Sequence, residues 1–105
     1  MISIHDLSKL SGVSTRMLRY YDKQGVLKPV EYTSDGRRIY ADDALGQLQQ
    51  ILAFQSLGYT IQQIKELFEQ SSSFPELVDK QIDLLKQEQR RIELVLDMLT
   101  QVNRQ

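Results

Sequence analysis

Apolar residues at Ile4, Leu7 and Leu10 recur every three positions at the start of the chain, the spacing of a helix that buries one stripe. Ser3 stands where an N-cap oxygen is needed, and Asp6, three residues on, makes an approximate capping box. The pattern predicts a helix closing near Ser11, because Gly12 offers the left-handed conformation that ends helices. Val13 bridges to a second start at Ser14. Stepping about 100° per residue from there gathers Thr15, Arg16, Arg19, Tyr20 and Lys23 on one face. Met17, Leu18 and Tyr21 gather on the other, the expected buried side. This helix should stop at Gly25, with Val26 and Leu27 returning to the core before Pro29. Two helices joined by a tight glycine turn have the spacing of a helix-turn-helix.

After Pro29 the pattern changes. Tyr32, Thr33, Ile39 and Tyr40 favour strand, and Ser34-Asp35-Gly36 between them supplies a hairpin turn. The ribbon carries Arg37 and Arg38 just past its turn, which makes it a candidate wing. In a regular strand these two alternate faces, so only one of them points at a ligand. Asp42 is the expected cap of a third helix reaching about Leu57, with Leu45, Leu48 and Leu52 inward and Gly58 ending it. Thr60 and Gln63 form a capping box for a fourth, whose apolar face is Ile61, Ile64, Leu67 and Phe68. A polar break of three serines and Phe74 follows, and Pro75 suits the first turn of a new helix.

From Glu76 to about Arg104 there is no glycine or proline. Val78, Ile82, Leu85, Gln89, Ile92, Leu96 and Leu99 alternate steps of four and three, a coiled-coil seam. Such a helix spans roughly 43 Å, more than a four-helix domain needs. Leu84, Val95, Met98 and Val102 widen its apolar stripe, and a second copy of the chain is the expected partner. Gln89, polar within the seam, is placed to fix alignment. The spacing alone leaves parallel and antiparallel pairing open. The reading is mainly α, with a winged helix-turn-helix over residues 1–70, a linker over 71–75 and a dimerisation helix over 76–105.

Charge sharpens this picture. The net charge of the 105 residues is −1, yet residues 1–40 hold seven Lys/Arg against four Asp/Glu, and residues 41–105 hold six against ten. Positive charge is gathered where a phosphate backbone would be met. Thr15, Arg16 and Arg19 are placed to enter a major groove, Ser14 and Thr15 to offer free backbone N–H groups to a phosphate, and Tyr20 and Lys23 to reach the sugar-phosphate backbone. Which arginine reads a base is left open. Tyr21 faces the core on the wheel, with its hydroxyl at the rim.

The absence of cysteine excludes disulfides, thiolate metal sites and cysteine nucleophiles. His5 stands alone, no acidic or histidine cluster has metal-ligand spacing, and no phosphate-loop, dinucleotide or serine-nucleophile motif occurs. No enzyme, metal or cofactor is expected. The N-terminus lacks the apolar core of a signal peptide and no apolar run approaches membrane-spanning length, so a cytoplasmic protein is the default.

GVSTRMLRYYDKQGVLKP (residues 12–29), DGRRIY (35–40), LGYTIQQIKEL (57–67) and the long terminal helix together resemble the MerR family of bacterial transcription regulators. The resemblance covers nearly the whole chain. The wing differs from the family's Gly-Tyr-Arg-x-Tyr in carrying Arg37 at the aromatic position, while Arg38 and Tyr40 match. The resemblance implies a homodimer joined by an antiparallel coiled coil and bound to a palindromic operator on double-stranded promoter DNA. It implies bending and untwisting of an overlong promoter spacer, so that RNA polymerase, on the same DNA, is served indirectly. It also implies phosphate clamps at Arg38 and at Gly58-Tyr59-Thr60, backbone contacts by Tyr20 and Tyr21, and a nucleoid-associated protein. The family's sensing elements lie beyond the dimerisation helix, so the chain reads as a DNA-binding fragment or a short natural member, with constitutive activity expected. An activator is the leading expectation. A repressor or architectural DNA-binding protein is the near alternative, and a coiled-coil interaction module the distant one.

Overall fold

The computed structural model describes residues 1–70 and 73–104. The chain divides into two compact units, 1–70 and 71–105. The first runs β1 (Ile2–Ser3), α1 (Ile4–Ser11), α2 (Thr15–Gln24), β2 (Glu31–Tyr32), β3 (Arg38–Tyr40), α3 (Ala44–Ser56) and α4 (Ile61–Gln70), and the second holds α5 (Phe74–Asn103). Ser71 and Ser72 of the expected linker, and Gln105, lie outside the described residues.

Local chemistry sets the helix ends. Ser3 Oγ accepts from the Asp6 amide at 3.1 Å, and Ser14 Oγ from the Met17 amide at 3.1 Å. Each bond satisfies one of the donors a helix start leaves orphaned. Gly12, at φ +77°, closes α1. Thr60 and Gln63 form the reciprocal box, with Gln63 N–H to Thr60 Oγ1 at 3.1 Å and Thr60 N–H to Gln63 Oε1 at 2.9 Å. The start of α3 departs from expectation. Asp43 precedes it without a side-chain cap, while the Asp42 carboxylate is engaged by the N-terminal ammonium.

The sheet has the order β1-β3-β2, all antiparallel. Ile2 pairs with Tyr40 and Ser3 with Ile39, while Glu31 pairs with Ile39 and Tyr32 with Arg38. The hairpin therefore supplies two strands of a three-stranded sheet, and β1 is an element the apolar pattern did not predict. Between β2 and β3 the chain turns through Thr33 and Arg37, whose backbone bond is 2.8 Å.

The core of the first unit joins Ile4 and Leu7 of α1, Leu18 and Tyr21 of α2, Val26, Leu27, Tyr40, then Ala44, Leu48, Ile51 and Phe54 of α3 and Ile64 of α4. Three expected core residues are corrected. Leu10 is 65 % exposed, because strict steps of three drift about 60° around a helix. Met17 is 43 % exposed, since α2 buries Leu18, Tyr21 and Asp22. In α3 the buried row is Ala44, Leu48 and Ile51, which turns Leu52 outward and leaves Leu45 half-buried.

In the second unit Ser73 Oγ accepts from the Glu76 amide at 3.3 Å, and Pro75 sits in the first turn. The helix begins two residues before the expected Glu76 and runs for 30 residues, about 45 Å. Along it Ile82, Leu85, Ile92, Leu96 and Leu99 are 42 % to 61 % exposed in the single chain. Val78 is half-buried and Gln89 exposed. Among the described residues no helix is long and apolar enough to cross a membrane.

Candidate nucleic-acid interface

Ser14 starts α2 in extended backbone, its Oγ accepting from the Met17 amide at the positive end of the helix dipole. From there Arg16, Arg19, Tyr20 and Lys23 are exposed and Thr15 is half-buried. Arg19 Nη1 donates to Thr15 Oγ1 at 3.5 Å, one turn back along the face. Leu18 and Tyr21 pin the opposite side into the core. The structure thus brings together the cationic face that the wheel drew, with Met17 exposed on its flank.

Tyr21 is 2 % exposed, its hydroxyl donating to Gln55 Oε1 of α3 at 2.8 Å. Burial pushes that hydroxyl pKa up against the opposing effect of the Gln55 bond. This is the core placement of the wheel, and the ring leaves little surface for the backbone contact that the resemblance implied. The Tyr20 ring stands 6.2 Å from it, tilted by 51° and open to solvent.

The wing is fastened to α2 at one carboxylate. Asp22 Oδ2 accepts from Arg38 Nε at 2.8 Å and from the Tyr32 hydroxyl at 2.7 Å. The Arg38 guanidinium lies 5.6 Å from the Tyr32 ring centre, a cation–π distance. Both strands of the hairpin therefore converge on the last turn of α2. Burial pushes the Asp22 carboxyl up. The bonds from Arg38 and Tyr32, with the positive charges of Arg38 and Lys28, outweigh it and hold the group below the usual carboxylate range. Arg38, expected as a phosphate clamp, directs its Nε–H to this internal pair. Arg37 is exposed at the tip, paired with Asp35 at 3.0 Å.

Tyr40 is the clear correction in the candidate set. It matched the wing motif, yet its side chain is fully buried, because β3 is the central strand and its inner face is core. Burial raises its hydroxyl pKa to about 12, with the Asp22 charge adding to the effect. Gly58 and Thr60 are exposed ahead of α4, whereas the Tyr59 ring leans on Phe54 at 5.2 Å.

Two residues escaped the sequence reading. Asp22 had a signal, a carboxylate ending the R-Y-Y-D string, but its partners stand 10 and 16 positions away. Lys65 had none. Its ammonium would lie 3.1 Å from a Cβ at Gly25, so the positive φ of 79° there is joined by close approach.

Residues 2–71 match the profile described as MerR HTH family regulatory protein. The chain belongs to the MerR family. As a member it is a DNA-binding transcription regulator and not an enzyme. This MerR-family chain is 31 % identical over 101 residues to the HTH-type transcriptional regulator HmrR of Sinorhizobium medicae, covering 92 % of itself and 69 % of HmrR. It is 34 % identical to the HTH-type transcriptional activator Mta of Bacillus subtilis over 88 % of its length, but spans only 37 % of Mta. Among solved structures it resembles SkgA from Caulobacter crescentus, with TM-score 0.81, 28 % identity and coverage of 97 % and 76 %. It also resembles EcmrR, solved as a DNA complex, with TM-score 0.63, 30 % identity and coverage of 97 % and 37 %.

Proposed function

We propose that two copies of this chain pair antiparallel through α5 and place their α2 helices in successive major grooves of a palindromic operator. In this reading residues 1–70 are the DNA-binding part and α5 is the dimerising helix. The observation that carries it is the exposure of Arg16, Arg19, Tyr20 and Lys23 on one face of a helix held by a buried Leu18 and Tyr21. Thr15, Arg16 and Arg19 address base edges, where an arginine fork matches guanine. Ser14, Tyr20 and Lys23, the tip residue Arg37 and the start of α4 at Gly58–Thr60 meet phosphates.

The seam of Val78, Ile82, Leu85, Gln89, Ile92, Leu96 and Leu99 supplies the pairing surface. Its helix of about 45 Å is of the same order as the ~34 Å that separates half-sites one turn apart. Seating both heads bends and untwists a promoter spacer too long for polymerase, at a deformation cost of several kcal/mol that the phosphate contacts offset. Activation follows without direct recruitment, in keeping with the name of Mta. The place of action is the bacterial cytoplasm, on the nucleoid.

Fluorescence anisotropy on an operator selected from random duplexes tests the reading. Arg16→Ala and Arg19→Ala are each expected to weaken binding by about 1–3 kcal/mol where the arginine holds a base edge. Parental affinity in both variants refutes the assignment of α2. Run-off transcription from an overlong-spacer promoter is expected to rise with the protein. Occlusion there makes it a repressor.

A further inference from the structure

Met17 is the exposed residue of α2 whose chemistry is least at home in water. Its side chain is 43 % exposed, although α2 has a core to offer it. Ser14, Met17 and Tyr20 follow one another at steps of three along the helix. With Arg16 beside them they line a shallow groove that is more apolar than polar. This groove is continuous with the cationic face, because Arg16 and Tyr20 belong to both. A helix that meets only phosphate has no use for such a thioether. A base edge does offer it a match, since thymine alone presents a methyl group in the major groove. Methionine is unbranched and polarizable, suited to seating a small apolar group without a fixed pocket.

We infer that Met17 is a specificity-determining residue, its thioether packing on the C5 methyl of a thymine beside the base that Arg16 addresses. This rests on the proposal that α2 enters the major groove. It adds an interaction that reads thymine against cytosine by shape, where the arginines read by hydrogen bond.

The test uses the full chain and an operator selected by it from random duplexes. Each thymine is replaced singly by deoxyuridine, which keeps base pairing and removes only the methyl. Affinity is then read by anisotropy for the parent, Met17→Ala and Met17→Leu. At one position per half-site the replacement is expected to weaken the parent about fourfold, the value of one buried methyl. It should leave Met17→Ala unchanged and still weaken Met17→Leu. Circular dichroism is expected to be the same for all three, since the side chain is exposed. If every methyl effect seen with the parent persists in Met17→Ala, or the parent shows none, the inference is overturned while DNA binding by α2 stands. If no duplex is enriched at all, the function proposed above falls with it.

Discussion

Replacing Asp22 by alanine removes the acceptor shared by Arg38 and Tyr32. The Asp22 side chain is 9 % exposed and that of Arg38 25 %, so the pair is neither a free surface bridge nor a dry one. A surface pair contributes about 0–1 kcal/mol, while removing one partner of a buried pair costs about 3–5 kcal/mol. Arg38 regains some water on losing its partner, which places the expected loss between these limits, at about 2 kcal/mol. In a unit of this size that corresponds to a fall in melting temperature on the order of 10 °C. Urea unfolding of the full chain at one fixed protomer concentration measures it. A cycle with Arg38→Met should give a coupling of about 1–2 kcal/mol. The folded carboxyl titrates below its unfolded value, so its contribution is present above the unfolded pKa and lost as pH falls through the folded one. The gap between parent and Asp22→Ala should therefore close on acidification. A loss under about 0.5 kcal/mol that is additive with Arg38→Met, a figure judged against the roughly 0.3–0.5 kcal/mol scatter of independent sites, refutes the latch.

Four other outcomes are expected. Among the described residues the buried Tyr40 hydroxyl has no hydrogen-bond partner, so Tyr40→Phe should be neutral or stabilising in urea melts at neutral pH. The folded Tyr40 pKa of about 12 lies above the ordinary tyrosine value, so stability intact below that value is lost as pH rises toward 12, and Tyr40→Phe should lessen this alkaline loss. Thr60→Ala breaks one arm of the α4 capping box and should cost about 1 kcal/mol by the same assay. Leu85→Lys with Leu96→Lys should convert a sedimenting dimer to a monomer at micromolar concentration, and an unchanged mass would count against the seam.

The parts legible in the sequence are those decided by neighbours a few residues away. Ser3, Ser14 and Thr60 cap their helices because the donors they satisfy lie within one turn. Helix faces were read less well. A face is settled by whatever packs on it, and at Leu10, Met17 and Leu52 a residue lies a fraction of a turn off the buried row. Strand β1 was invisible, since two residues carry no alternation and its partner is 38 positions away. In the candidate interface the shared face of the α2 cations was legible from their wheel, whereas the pairing of Arg38 with Asp22 and the burial of Tyr40 were not. A motif names residues at a strand without saying which side of the sheet is inside.

The middle position of β3 has a consequence for how the molecule is made. Synthesis delivers Ile2 and Ser3 first, but the strand they pair with is complete only at Tyr40, and α1 and α2 are both in hand before it arrives. A nascent chain halted before Arg38 lacks both the guanidinium that closes onto Asp22 and the ring of Tyr40. The cationic face of α2 is thus synthesised before the strand that braces its last turn through Asp22.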